Sequence, residues 1–355
     1  MSTIGLGVVE GFYGEPWTHD ERLRIITAAG RWGLTTYLQA PKRARSGALF
    51  GPLDAVSSRR IEALAEAGAA AGVRILFGLS PYRLVDRESV PMLRKTGARI
   101  RHALTDRVRE LTRRGISEIA VLFDDTWPTL VPHFATRGVG REHGDLACAA
   151  AEASASAVAV VPAIYFGHAR DLATGAKRYL QGLRETGRWL TAWTGPRVFS
   201  QFIGERDRAL MEDLTGLDIW IWSNAIANDW LPLATGESLG RSGREKLCFG
   251  PVHTVSPELL TRGRGLLLNG AREAVPTLVA LHVLADFAQN GDLHRFSEAL
   301  PRAMRAVFGR NANGMLDLAR SIGAHDICFP HLARTPSVAH SRALEKLRAS
   351  DRGDD

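Results

Sequence analysis

Glu118-Ile119-Ala120-Val121-Leu122-Phe123-Asp124-Asp125 is an apolar run without polar alternation that closes on two carboxylates. A strand with one wet face alternates apolar and polar residues. A run like this one is buried on both faces, as in a parallel sheet covered by helices. Seven further short runs of the same kind flank it, at residues 4–10, 35–40, 73–80, 157–164, 190–194, 218–222 and 265–269. Amphipathic segments separate them at 19–32, 58–71, 92–114, 142–155, 171–186 and 206–214; Leu23, Ile25, Ile26 and Ala29 set the helical period in the first. Eight strand–helix units in series predict an α/β fold of the (β/α)8 TIM-barrel type. An open, doubly wound sheet is the alternative arrangement. The seventh unit is irregular, since residues 228–247 are Gly-rich and weakly helical. After Arg272 the pattern is wholly helical, and segments 293–308, 314–322 and 338–347 predict additional C-terminal helices packed on the barrel. The expected organisation is a catalytic barrel over 1–290, helices of the same unit over 291–348, and a frayed polar tail over 349–355.

Composition agrees with one elaborated barrel: 355 residues, 45% of them hydrophobic and 23% charged. The formal charge is +7, but only five of the 45 basic residues are lysines and the arginines are spread along the chain. Nucleic-acid binding needs basic residues clustered on one face. Beyond short stretches such as Lys42-Arg43-Ala44-Arg45 there is no such cluster, so no nucleic-acid partner is expected. Cys148, Cys248 and Cys328 are far apart and odd in number, which argues against a structural zinc and a disulfide framework. A reducing, cytoplasmic compartment fits them. No basic segment followed by an apolar run opens the chain, so no signal peptide is expected. No apolar stretch reaches about 18 residues, so no membrane partner is expected either. There is no Asn-x-Ser/Thr site, and nothing in the sequence speaks to oligomeric state.

In a barrel of this kind the active site lies at the C-terminal ends of the strands. Those ends carry Gly11-Phe12-Tyr13-Gly14, Lys42, Ser80-Pro81-Tyr82, Asp124-Asp125, Tyr165, Trp193-Thr194-Gly195-Pro196, Asn224 with Asp229, and Asn269. A core needs no such polar groups there; their convergence predicts a pocket for a polar, ring-shaped ligand. Asp124 and Asp125 are the sharpest feature. Adjacent strand residues face opposite sides, so both reach one pocket only if the chain bends after Asp124. Two close carboxylates do not both ionise easily, which leaves one anion and one acid, the equipment for glycosidic bond cleavage. A helix N-cap or surface turn is the bland account of an isolated Asp-Asp. Trp222 and Tyr165 are equally open to a plain core role, Asn269 to helix capping and Asp229 to a turn. Gly5-Leu6-Gly7 does not fit a dinucleotide loop, because the third glycine comes late and no helix opens there. His168 reads as a rim residue and His282 as a core histidine. No HExxH or His-x-His cluster offers a metal site, so neither metal nor cofactor is expected.

Several stretches together resemble glycoside hydrolase family 84, which contains protein O-GlcNAc hydrolases and bacterial β-N-acetylglucosaminidases. Gly7-Val8-Val9-Glu10-Gly11-Phe12-Tyr13-Gly14-Glu15-Pro16-Trp17 is similar to the family's opening motif and Tyr37-Leu38-Gln39-Ala40-Pro41-Lys42 to its second-strand motif. Phe123-Asp124-Asp125 is similar to its catalytic pair, and Trp193-Thr194-Gly195-Pro196 and Asn224 through Asn228-Asp229 to two later motifs. The resemblance runs in family order over about residues 4–290. It implies a retaining exo-β-N-acetylglucosaminidase acting on a terminal N-acetylglucosamine glycoside. The substrate's 2-acetamido oxygen would be the nucleophile and an oxazoline the intermediate, an exception to the usual enzyme nucleophile. Asp124 would hold the acetamido N–H and Asp125 would serve as acid, then base. Gly11 would present its carbonyl to a sugar hydroxyl and Lys42 would bond a ring hydroxyl. Tyr165 and Trp222 would wall the acetamido methyl group, Asn224 would support the same end, and Asp229 and Asn269 would hold the 4- and 6-hydroxyls.

The sequence departs from the family pattern around this core. Arg43-Ala44 stand where two acidic residues are usual, Tyr82 follows Ser80-Pro81 where a glycine is usual, Ser223 replaces an acid, and Pro162-Ala163-Ile164 precede Tyr165. These changes touch no catalytic group but reshape the side that would receive the aglycone. Two rival functions stand beside the enzyme: a non-catalytic N-acetylhexosamine-binding protein on the same scaffold, and a metal-dependent hydrolase using Asp124 and Asp125 as ligands.

Overall fold

The computed structural model describes residues 3–40, 53–81, 93–124, 136–156, 158–229, 249 and 255–321. Eight parallel strands close into a barrel in sequence order. They are β1 (Gly5–Glu10), β2 (Thr36–Gln39), β3 (Arg74–Leu79), β4 (Glu118–Leu122), β5 (Val158–Val161), β6 (Leu190–Trp193), β7 (Asp218–Ser223) and β8 (Gly265–Asn269). Closure is made by β8 on β1, from Gly5 opposite Gly265 to Val9 opposite Asn269, which removes the open-sheet alternative. Every strand lies inside its predicted run except β7, which continues to Ser223.

The pleat sorts the side chains into two layers. Val9, Leu38, Leu76, Ala120, Leu122, Ala159, Val161, Ala192, Trp220, Trp222 and Leu267 belong to the inner cluster that fills the barrel. Their neighbours Val8, Tyr37, Ile75, Ile119, Val121, Phe123, Val160, Trp193, Ile221 and Leu268 belong to the layer between barrel and helices. Four alanines in the inner cluster, Ala40, Ala120, Ala159 and Ala192, make room for two tryptophans, whose rings lie 6.1 Å apart and tilted by 31°.

Among the described residues the outer layer comprises ten α-helices. α1 (His19–Arg31), α2 (Ala55–Ala71), α3 (Leu93–Arg113), α4 (Arg137–Ser154), α5 (Thr174–Thr186) and α6 (Glu205–Thr215) follow the first six strands. A short α7 (Glu258–Arg262) precedes β8, and α8 (Ala274–Asn290), α9 (Phe296–Phe308) and α10 (Ala312–Ser321) follow it. Local chemistry sets the starts. Thr18 and Glu21 form a reciprocal capping box on α1, and Asp54 caps α2 through Ser57 N–H at 2.7 Å. α8 is apolar nearly all round because it is covered on both sides, meeting α1 and α9, while α10 lies against α9. His282 departs from its expected place in the core. It is half-buried on α8, edge-on to Trp32 at 5.0 Å. The predicted helix 338–347 and tail 349–355 lie outside the described residues, as do Cys248 and Cys328. No described helix is long and apolar enough to cross a membrane.

α4 begins earlier than its sequence suggests, at Arg137, because glycines at 138, 140 and 144 weaken the helical signal. Thr136 caps it through Val139 N–H at 3.2 Å. The glycines serve packing instead. A Cβ at Gly140 would lie 2.8 Å from Leu183 N, and one on Gly182 of α5 would lie 2.9 Å from the Arg137 carbonyl carbon. This close approach brings His143 of α4, fully buried, to Tyr179 of α5. Burial lowers the His143 pKa from 6.5 to about 3. The unfolded chain therefore takes up a proton that the folded chain refuses. Stability is complete above about 6.5 and declines as pH falls toward about 3, at a slope of roughly 1.4 kcal/mol per pH unit. Urea midpoints measured across this window should fall less steeply for His143→Phe than for wild type; parallel profiles would remove the assignment.

Candidate active site

The strand ends open into a cleft of about 530 Å³, open solvent included, at the C-terminal mouth of the barrel. Its lining comes from six strand ends: Gly11 and Tyr13 after β1, Asp124 after β4, Val161 and Tyr165 from β5, Ala192, Thr194, Val198 and Phe199 from β6, Trp222, Asn224, Ala227 and Asp229 from β7, and Asn269 from β8. Val161, Ala192 and Trp222 belong to the inner cluster, so the floor of the cleft is the top of the barrel core.

Asp124 reaches the cleft by simple continuation of the pleat. Leu122 faces in, Phe123 faces the helices and Asp124 faces in again, only 7% exposed. Phe123 N–H donates to the Val161 carbonyl at 2.8 Å, tying this end of β4 to β5. A carboxylate placed there lies in a low-dielectric mouth, where its charge acts more strongly than in water. The predicted bend that would admit Asp125 falls outside the described residues, and so does Lys42.

The opposite wall is an amide frame. Asn224 Oδ1 accepts from Trp222 Nε1 at 3.0 Å and from Asn269 Nδ2 at 2.9 Å, while its own Nδ2 donates to the Val198 carbonyl at 2.8 Å. Asn269 Oδ1 accepts from Gly11 N–H at 3.2 Å. These contacts fix which way each amide points. They occupy both lone pairs of Asn224 and leave it one N–H; Asn269 retains one donor and one acceptor site. Asp229 accepts from Tyr13 N–H at 2.5 Å, drawing the loop after β1 over the mouth. Asn269 is therefore no helix cap: α8 starts beyond it, at Ala274, with Glu273 at the cap position.

Gly11 is a glycine for a reason invisible in sequence. A Cβ there would run into Trp222 Cζ2, fall 2.7 Å from Cη2 and 3.2 Å from Asn269 Oδ1. Beneath it, Glu10 points the other way, toward the helices. It accepts from Tyr37 Oη at 2.5 Å, from Arg22 at 2.7 and 2.8 Å, and from Trp17 N–H at 3.2 Å. Burial and the Glu10 charge raise the Tyr37 hydroxyl, so the cluster is one buried ion pair with a neutral phenol. Its task is to anchor the loop that carries Gly11 and Tyr13.

Of the nine residues nominated from sequence, the structure gathers Gly11, Asp124, Tyr165, Trp222, Asn224, Asp229 and Asn269 around one cleft. Tyr13 and Thr194 also line it; they belong to the strand-end stretches singled out in the sequence but were assigned no role there, and Val198, Phe199 and Ala227 were not singled out. Thr194 lies two residues beyond the inward Ala192 of β6. Its N–H donates to the Tyr165 carbonyl at 2.8 Å and so holds that wall. Val198 and Phe199 lie in the loop after β6, where an apolar residue carries no sequence signal. Among the described residues no three His, Cys, Asp or Glu side chains group to hold a metal ion.

The sequence profile of the NAGidase family, described as beta-N-acetylglucosaminidase, matches residues 6–320. Two curated proteins named protein O-GlcNAcase, from Rattus norvegicus and Mus musculus, are each 24% identical over 301 residues. The match takes in 79% of this chain but 29% of theirs, so the chain spans under a third of their length. Among solved structures, a mutant O-GlcNAc hydrolase of Thermobaculum terrenum superposes with a TM-score of 0.75 at 17% identity. It covers all of this chain and 73% of that one, a likeness of fold.

Proposed function

The chain belongs to the β-N-acetylglucosaminidase family, glycoside hydrolase family 84, and from that premise we propose that it is a retaining exo-β-N-acetylglucosaminidase releasing terminal β-linked N-acetylglucosamine from glycoconjugates. One observation carries this reading: the family-type residues from six separate strand ends share a single cleft with Asp124 in its wall.

In the proposed reaction the acetamido carbonyl oxygen attacks C1 while the glycosidic C–O bond breaks. Asp125 gives its proton to the departing oxygen. Asp124 accepts the acetamido N–H and stabilises the positive charge that develops on nitrogen as the oxazoline forms. Water then attacks C1 and returns a proton to Asp125, the C1–O bond of the oxazoline breaks, and the amide is restored. Two inversions give net retention. Tyr165 and Trp222 enclose the acetamido methyl, and the remaining N–H of Asn224 supports the same end. Asp229 and the unused donor and acceptor of Asn269 take the distal hydroxyls, and Lys42 a ring hydroxyl. A buried hydroxyl left without a partner costs about 1–3 kcal/mol, which is why such residues ring the cleft. No metal or cofactor enters the scheme. The chain's cysteine usage supports a cytoplasmic setting.

The test is turnover of an aryl β-N-acetylglucosaminide followed by NMR. The first product should be the β-anomer. An α-anomer, or equal rates for wild type and Asp125→Ala, would sink the reading; binding of N-acetylglucosamine without turnover would return the chain to a non-catalytic sugar binder.

A further inference from the structure

One buried polar pair outside the cleft touches both strand ends on which the proposed chemistry depends. Tyr179 of α5 and His143 of α4 are fully buried, and neither lines the cleft. The Tyr179 hydroxyl accepts from Ala163 N–H at 3.0 Å and lies 2.8 Å from His143 Nδ1. The His143 ring lies flat on Phe123, with centroids 4.0 Å apart and planes within 13°. Ala163 stands two residues before Tyr165, and Phe123 stands directly before Asp124. One hydroxyl thus holds the backbone of one wall and, through an imidazole, braces the aromatic anchor of the other.

The pair is uncharged at neutral pH, since burial lowers the imidazole and raises the phenol. With Ala163 N–H on one lone pair, the hydroxyl shares its remaining hydrogen-bonding capacity with Nδ1 of the imidazole at 2.8 Å. Two apolar side chains would fill this space without the cost of burying polar groups. What they would not supply is an acceptor for Ala163 N–H. β5 ends at Val161, and from there the chain to Tyr165 is held by other contacts: Ala163 N–H on Tyr179, and the Tyr165 carbonyl on Thr194 N–H. These two hydrogen bonds tie the stretch after β5 to α5 and to β6.

Resting on the function proposed above, we propose that Tyr179, together with His143, is a positioning residue for the reaction. It sets the Tyr165 wall against the Asp124 wall, so that the acetamido oxygen is presented to C1. The prediction concerns alignment and so separates from stability.

The experiment uses the full chain as wild type, Tyr179→Phe, His143→Phe and His143→Gln; the last keeps a hydrogen-bonding group for the Tyr179 hydroxyl. Kinetics are run well below each variant's melting temperature, on one activated and one unactivated aryl β-N-acetylglucosaminide. Calorimetry measures affinity for N-acetylglucosamine and for a thiazoline analogue of the oxazoline. Tyr179→Phe should lose kcat about 10- to 100-fold by the same factor on both leaving groups, with KM within about threefold. Analogue affinity should fall in step, and His143→Gln should retain more activity than His143→Phe. An unchanged kcat in folded Tyr179→Phe overturns the proposal, and so does a loss confined to the unactivated leaving group. If Tyr179→Phe does not fold, His143→Phe carries the same comparison. If wild type binds but does not turn over, analogue affinity decides the positioning role while the enzymatic reading fails. A wild type that does neither overturns both.

Discussion

Asp124→Ala loses about two to three orders of magnitude in kcat on every β-N-acetylglucosaminide, whatever its leaving group. The expectation follows from what the residue faces. Asp124 sits 7% exposed in the cleft wall, carried inward by the pleat of β4. In the proposed reaction its charge steadies the amide that attacks C1, and the same amide leaves C1 in the second step. Removing it weakens both steps, so a better leaving group gives no relief. Asp125 is assigned the proton instead, and an activated phenol needs little protonation. Asp125→Ala should therefore spare substrates with acidic phenols and fail on poor ones. The measurement is kcat/KM against leaving-group pKa over a series of aryl glycosides. Asp124→Ala should give a line parallel to wild type and displaced downward, and Asp125→Ala a steeper line. Recovery of Asp124→Ala on the most activated substrate would reverse the two roles. Asp124→Asn, equal in size, separates the lost charge from any repacking of the mouth.

The barrel was legible in sequence because all eight strands are buried on both faces and so stand out as apolar runs. Much of the cleft lining was legible because of its place relative to those runs. At five strands the residue two beyond an inward core residue meets the cleft: Val9 leads to Gly11, Leu122 to Asp124, Ala192 to Thr194, Trp222 to Asn224 and Leu267 to Asn269. The family resemblance adds roles to positions that the pleat had already aimed.

What stayed hidden depends on contacts between distant elements. Glu10 adjoins Gly11 in the same motif, yet it has the opposite parity, and Arg22 and Tyr37 take its charge into the helix layer. The early start of α4 was masked by glycines whose purpose is the close approach of α5. The placement of Val198 and Phe199 in the wall rests on a loop without periodicity, which Asn224 pins through the Val198 carbonyl.

Gly11→Ala should fold but lose sugar binding and turnover by about 100-fold or more. One methyl group has this reach because its space is already filled. It would overlap Trp222 Cζ2 and press on Cη2 and Asn269 Oδ1. The indole cannot retreat inward, where Trp220 lies at 6.1 Å, and its N–H is tied to Asn224 at 3.0 Å. Either Trp222 moves into the cleft, taking the Asn224–Asn269 frame with it, or the chain at Gly11 moves out and breaks its bond to Asn269. Both outcomes deform the wall proposed to enclose the acetamido group. Overpacking of this kind costs about 1–3 kcal/mol, less than a typical domain's stability, so the fold should survive with a lowered melting temperature. Trp222→Phe removes the part of the ring that the methyl would strike. The double variant should regain most of the stability lost by Gly11→Ala, a coupling that a double-mutant cycle reads directly. Activity should remain low, because the indole N–H that orients Asn224 is gone. A Gly11→Ala protein that binds N-acetylglucosamine as wild type does would show that this wall is not where the sugar rests.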